Sequence, residues 1–178
     1  SKLHSMKIFI AVLAIVLFQS FQVEAQTSEE DKKKFMQMAI DLSIEAVNQG
    51  SYPFGAVIVK DGVVIGRGYN NSYAVHDVTA HGEMNAIRDA CKNLESIDLT
   101  GCDLYTNGES CPMCFGAAYW AHIKNIYYAV PYQDISSFGI DQKLFEQVCL
   151  PNNERNIKSE MILRDEAYKV FENWKANK

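Results

Sequence analysis

Pro53-Phe54-Gly55-Ala56-Val57-Ile58-Val59-Lys60-Asp61-Gly62-Val63-Val64-Ile65-Gly66-Arg67-Gly68 decides the fold of this chain. It contains two β-rich runs, 56–60 and 63–68, joined by Asp61-Gly62. Asp-Gly between such runs is a strong signal for a two-residue hairpin turn, because both residues tolerate positive φ. Upstream, Thr27 and Glu30 read as a capping box that opens a helix. Its apolar positions Phe35, Met38, Ala39, Leu42 and Ala46 keep the helical period, and Gly50 stops it. Downstream, Thr79 is placed to cap a helix over 80–91, and a strand follows at 103–106. A helix over 112–121 has Pro112 at its first turn, where a missing N–H costs nothing. A strand over 125–130, a helix over 142–149, a fifth short strand over 161–163 and a last helix over 167–176 complete the chain. Residues 151–158 read as a polar surface loop. A hairpin followed by alternating strands and helices predicts an α/β chain, a mixed sheet covered by helices on both faces. Ligands of such sheets sit near strand ends, at helix N-termini.

The residues that carry chemistry fall at two of those expected helix starts. His81-Gly82-Glu83 is followed thirty positions later by Cys111-Pro112-Met113-Cys114. One imidazole and two thiolates can hold zinc and leave its fourth position for water, the catalytic arrangement; four protein ligands are usually structural. A carboxylate two residues from the imidazole reaches that water without being a ligand. Glu83 can take its proton and return it first to a ring nitrogen and then to a leaving amine. A lone C-x-x-C would leave a structural site or a redox dithiol open, with His76, His122 or another cysteine as fourth ligand. The added H-x-E favours the catalytic site. The set matches the known zinc deaminase pattern H-x-E…P-C-x-x-C, except that Ser110 stands in place of the proline.

Composition narrows the setting. With 178 residues the chain has room for one domain with a real core. A net charge of −5 and the lack of a basic cluster argue against a nucleic-acid substrate. The first 25 residues differ from the rest. Lys7, an apolar run over 8–18 and Val23-Glu24-Ala25 have the layout of a secretory signal peptide cleaved after Ala25, with Ser1–Ser5 preceding its natural start at Met6. The run falls short of the roughly 20 residues of a membrane span. The expected organisation is therefore a signal peptide at 1–25 and one zinc-dependent domain at 26–178, secreted and with no stable membrane association after cleavage. An oxidising destination requires zinc to protect Cys111 and Cys114. Cys91, Cys102 and Cys149 can form at most one internal disulfide, and each is read by default as a small buried hydrophobe.

Four segments carry a family resemblance: 53–62, 79–83, 111–114 and Gly116-Ala117-Ala118-Tyr119-Trp120-Ala121. Through them the chain resembles the cytidine-deaminase-like superfamily, and within it the small bacterial-type guanine deaminases. The resemblance implies a three-layer α/β/α sandwich around a five-stranded mixed sheet. It also implies one zinc per subunit and a homodimer that exchanges C-terminal segments. It assigns His81, Cys111 and Cys114 as zinc ligands and Glu83 as the proton shuttle. Asn70 would read the purine edge, and Phe54, Trp120, Ala56 and Gly82 would lie at the base pocket. Phe54 and Trp120 are equally readable as core aromatics, and Asn70 as a turn residue of Asn70-Asn71-Ser72. Two further departures accompany Ser110. The aspartate expected from Gly139-Ile140-Asp141-Gln142 is displaced by one position, and a C-terminal tyrosine gives way to Trp174-Lys175-Ala176-Asn177-Lys178.

The implied activity is zinc-dependent hydrolytic deamination of a free purine base, guanine to xanthine with ammonia release. Deamination of a nucleoside such as guanosine or a pyrimidine base such as cytosine stays open, as does a non-catalytic secreted zinc-binding module. The only N-x-Ser/Thr sequon begins at Asn70, so a glycan and a base-reading role there exclude each other.

Overall fold

β1 (Gly55–Lys60) and β2 (Val63–Tyr69) form the expected antiparallel hairpin. Asp61 and Gly62 take φ of 49° and 77°, the left-handed pair that a type I′ turn demands. The computed structural model describes residues 27–140 and 143–177. The expected leader with its cleavage point, and the displaced Asp141 and Gln142, lie outside the described residues.

β1 also pairs antiparallel with β3 (Cys102–Gly108), and β3 pairs parallel with β4 (Asn125–Val130), giving the order β2-β1-β3-β4. Around this mixed sheet lie α1 (Glu29–Asn48), α2 (Ser72–Val75), α3 (Gly82–Asn93) and α4 (Pro112–Trp120), then α5 (Tyr132–Ser136), α6 (Lys143–Cys149) and α7 (Arg164–Ala176). Strand alternation divides the core in two. Val57, Val59 and Tyr105 pack with Phe35 of α1 on one face. Ala56, Ile58 and Leu104 pack with Ala86, Ile87 and Ala90 of α3 and with Ala118 after them on the other. The result is the three-layer α/β/α sandwich that the hairpin and alternation implied.

Close approach of β2 to α3 fixes where the functional residues sit. A Cβ on Gly68 would lie 2.4 Å from both the Gly82 carbonyl oxygen and the Ala86 nitrogen. Only glycine lets the strand reach the first turn of the helix. Asn85 of α3 locks the same corner, donating through Nδ2 to the Tyr69 carbonyl and to Asn71 Oδ1, each at 2.9 Å.

Three local expectations are corrected. The cap of α1 is Ser28, whose Oγ accepts from the Asp31 N–H at 3.0 Å, one residue beyond Thr27. Ser28 Oγ also donates to the carboxylate of Asp31 at 2.7 Å, so Asp31 and not Glu30 is its partner in the first turn. The cap of α3 is His81, not Thr79. Thr79 belongs to the preceding turn, donating through its N–H and hydroxyl to Asp77 Oδ1 at 2.8 and 2.7 Å. Among the described residues the sheet has four strands, not five. Met161, Ile162 and Leu163 are strand-like in composition but 77%, 73% and 69% exposed, and they pair with nothing in the sheet. Three residues gain too few ladder bonds to form a strand when no neighbour covers their side chains. Nor does α7 bury any residue on its own chain. No described helix is long and apolar enough to cross a membrane.

Candidate metal centre and active site

The two helix starts meet. His81 is the N-cap of α3 and Cys111 the N-cap of α4, both in extended backbone. Pro112 occupies the first turn of α4, so Cys114 follows one turn along the buried side. Gly55 N–H donates to Asn107 Oδ1 and Asn107 Nδ2 donates to the Pro53 carbonyl, each at 2.9 Å, tying the 53–55 loop to β3 beside this corner.

Three ligand atoms converge. Cys114 Sγ lies 3.6 Å and Cys111 Sγ 3.8 Å from His81 Nδ1. Zinc bonds of about 2.05 Å to nitrogen and 2.3 Å to sulfur at a tetrahedral angle place those atoms about 3.6 Å apart. The residues therefore fit zinc, with Nδ1 as the ligating nitrogen. His81, Cys111 and Cys114 form the one such cluster of histidine, cysteine or acidic side chains among the described residues. His76 is exposed, and His122 pairs with Asp98 at 3.3 Å, so neither supplies a fourth ligand. Hydrogen bonds from Cys114 first, and also from His81, pull the Cys111 thiol down to about 4, while bonding to Cys111 and burial push Cys114 up. His81 is pushed up chiefly by Cys111, against the effect of its burial.

Glu83 sits in the first turn of α3, only 4% exposed. Burial holds its carboxyl above the ordinary carboxylate range, the direction required of a group that takes up a proton and then gives it back. A cavity of about 140 Å³ opens over these residues, lined by Phe54, His81, Glu83, Glu109, Cys111, Tyr132, Ile135, Ile140 and Leu144.

A family model described as the cytidine and deoxycytidylate deaminase zinc-binding region matches residues 29–130. The chain belongs to this deaminase family. It is a zinc-dependent aminohydrolase. It is 43% identical to a guanine deaminase of Bacillus subtilis over 81% of this chain and 95% of that protein. A solved structure of Bacillus subtilis guanine deaminase superposes with a TM-score of 0.78 at 42% identity, over 81% of this chain and 93% of that one. A tRNA-specific adenosine deaminase of Buchnera aphidicola is 32% identical over 81% of this chain and 93% of its own. A solved structure in complex with 2,6-diaminopurine is 25% identical with a TM-score of 0.60, covering 71% of this chain and 69% of that one.

The remaining site residues of this deaminase fall in different places. Phe54 lines the cavity, its ring set against Gly108, where a Cβ would come within 2.8 Å of it. Gly82 is buried in the first turn of α3 beneath the Phe54 carbonyl. Ala56 lies wholly inside the core below the site and does not reach the cavity wall. Trp120 is 78% exposed and edge-on to Tyr119, away from the cavity of its own chain. The helical period explains this. Cys114 and Ala118 share the buried face of α4, and Trp120, two residues after Ala118, points off that face.

Asn70 is 1% exposed. Its N–H donates to the Phe54 carbonyl at 2.8 Å. Its Oδ1 accepts from Ser51 Oγ, Ser72 Oγ and the Ser72 N–H at 2.7, 2.9 and 3.2 Å. Because a backbone N–H can only donate, the oxygen must face Ser72, and Asn70 is not among the residues that line the cavity. The Ser72 bond makes an Asx-turn, as the turn reading of Asn70 expects. Burial of the amide leaves no room for a glycan in the folded chain, so peptide mapping should find Asn70 unmodified.

Glu109, Tyr132, Ile135, Ile140 and Leu144 are cavity residues that the sequence reading did not single out. Glu109 had a signal in its place two residues before Cys111. It braces the far wall by accepting the Tyr132 N–H on Oε2 at 2.7 Å. The cysteines outside the site are free, with Cys102 buried and Cys91 half-buried. Cys149 is exposed at the end of α6, which corrects its reading as a buried hydrophobe.

Proposed function

We propose that this deaminase hydrolyses a free purine base, converting guanine to xanthine with release of ammonia. The observation that carries the reading is the enclosure of the three-ligand cluster and Glu83 under Ile135, Ile140 and Leu144. A cavity of about 140 Å³ suits a single base better than a base with its sugar, or a polynucleotide. The similarity to guanine deaminase over almost the whole length of that protein supports the same substrate. The net charge of −5 supports a small molecule over tRNA.

Bound zinc supplies Lewis acidity, lowering the pKa of a water from about 15.7 toward about 7. Phe54 offers its ring to the base, and Ile135, Ile140 and Leu144 exclude bulk solvent. The Asn70 amide donates to an acceptor on the purine edge. Glu83 takes one proton from the attacking water and passes it to a ring nitrogen, then takes the remaining proton of the added hydroxyl and delivers it to the departing exocyclic amine. Carbon–oxygen bond formation and carbon–nitrogen cleavage thus leave a carbonyl and ammonia. Measured ammonia release over guanine, guanosine, adenine and cytosine should be fastest with guanine. Faster release from a nucleoside or pyrimidine would overturn the substrate assignment, and none from any substrate would leave the zinc-binding module. Asn70→Ala should cost about 1–3 kcal/mol in transition-state binding by leaving a buried polar group unpaired, read as a fall in kcat/KM.

The working unit in this proposal is a homodimer. Phe115, Tyr119 and Trp120 of α4 are exposed, as are Val170, Phe171 and Trp174 of α7. Apolar surface on this scale marks an interaction site. A helix that buries nothing on its own chain is suited to lie on a second copy, each protomer receiving the other's C-terminal segment. Sedimentation at micromolar concentration should report two copies, and a chain ending at residue 163 should report one. Secretion, with cleavage after Ala25, belongs to the same proposal and rests on the sequence of 1–25. Intact mass of exported protein should give a start at Gln26.

A further inference from the structure

Beyond the metal ligands and Glu83, the described wall of the cavity is apolar except for Glu109 and Tyr132. Tyr132 sets its ring edge-on to Phe145, with centroids 4.0 Å apart, where both line a neighbouring outer cavity. Glu109 is half-buried and held at both ends. Its N–H donates to the Val130 carbonyl at 2.9 Å, and its Oε2 accepts the Tyr132 N–H at 2.7 Å. These two bonds join the loop before Cys111 to the chain leaving β4. The carboxylate is therefore oriented before any ligand arrives. A carboxylate offers about four lone-pair sites on its two oxygens. The Tyr132 bond uses one, on Oε2, and no described residue donates to Oε1.

Guanine brings the matching need. Its reacting carbon, C2, is flanked by two ring nitrogens of opposite character. N3 is bare and can take the proton that Glu83 delivers, whereas N1 carries a hydrogen that needs an acceptor once water is excluded. A cavity of about 140 Å³ is filled by a single base, so every ring edge meets a wall, and Ile135, Ile140 and Leu144 cannot accept. We propose that Glu109 is a specificity-determining residue for the base, its Oε1 accepting the N1–H of guanine. This deepens the guanine reading above and rests on it. There Asn70 supplies a donor to the purine edge, and here Glu109 supplies the acceptor. A base with a bare N1 sets a lone pair against the carboxylate, and is rejected by that repulsion as well as by the lost bond.

The test compares guanine with 2-aminopurine on the zinc-loaded full chain. Both lose an amine from C2, but 2-aminopurine has a bare N1. In the parent, KM for guanine should lie at least about tenfold below that for 2-aminopurine. In Glu109→Gln the amide oxygen keeps the Tyr132 N–H, and the NH₂ end faces the base. The ratio of kcat/KM for guanine to that for 2-aminopurine should therefore fall about 10²-fold from parent to variant. Most of the change should be a rise in KM for guanine, because the N1–H bond is made in ground state and transition state alike. Zinc content and Tm should match the parent, which a merely bracing role with the same ratio would also give, so the ratio decides. Glu109→Ala loses the brace as well; its Tm should fall, and its ratio should fall with it. Parental KM values for the two bases within about twofold of each other overturn the proposal. A kcat loss equal for both bases overturns it too, placing Glu109 on the proton path. A parent that releases no ammonia from guanine overturns the guanine reading and the Glu109 role together. A guanine-active parent whose ratio is unmoved in both variants overturns the Glu109 role alone.

Discussion

Glu83→Gln is expected to keep its fold and its zinc and to lose turnover by about 10²–10⁴-fold, the usual contribution of a positioned acid–base group. The substitution is nearly isosteric, so the buried first turn of α3 should accept it without repacking. What changes is proton capacity. An amide cannot take a proton from water at neutral pH or return one to a leaving amine. Zinc should stay, because the ligand atoms are His81 Nδ1 and the two sulfurs, and Glu83 is not among them. Substrate affinity should also survive, since Phe54 and the hydrophobic cover are untouched. The expected signature is a fall in kcat with normal metal content and near-normal KM. A zinc-loaded variant with parental turnover would remove Glu83 from the mechanism and leave the carboxylate of Glu109, across the same cavity, as the shuttle to test.

Legibility followed the range of the interactions. The hairpin was readable because Asp61-Gly62 encodes its turn locally. The zinc cluster was readable because its residues fall in two short local runs, His81-Gly82-Glu83 and Cys111-Pro112-Met113-Cys114. Errors arose where a local signal had a competitor close by. Thr79 has the chemistry of a cap, but Asp77 two residues earlier engages both its N–H and its hydroxyl, and the helix starts at His81 instead. Trp120 carries the family resemblance, but its direction follows from which face of α4 is buried, a fact of packing. The cover of the cavity was illegible for another reason. Tyr132, Ile135 and Leu144 come from short helices after β4, too brief to show a period, and Ile140 from the segment between them; the parallel pairing of β3 with β4 brings the chain back beside Cys111. Residues 161–163 have the composition of a strand, but among the described residues no strand pairs with them and their side chains are exposed.

Cys111→Ala is expected to lose both metal and activity, in contrast to Glu83→Gln. The site holds three protein ligands, so removing one leaves two, fewer than a stable zinc site uses. Loss of an outer partner of a metal ligand already costs about 10–100-fold in affinity, and loss of a ligand must cost more. Elemental analysis should find well under one zinc per chain. The fold should register the loss too, because His81 and Cys111 begin α3 and α4, and one ion ties both helix starts together. A ligand that binds only the folded state stabilises it by about 4 kcal/mol when present at a thousand times its Kd. Chelation of the parent should therefore lower its Tm to that of Cys111→Ala, while the same chelator leaves the variant unmoved. Cys149→Ala, at an exposed thiol far along the chain, serves as the control and should match the parent in zinc, Tm and turnover. A Cys111→Ala protein that still carries one zinc per chain would show that the ion is held by another set of residues, and the assignment of His81, Cys111 and Cys114 would fall with it.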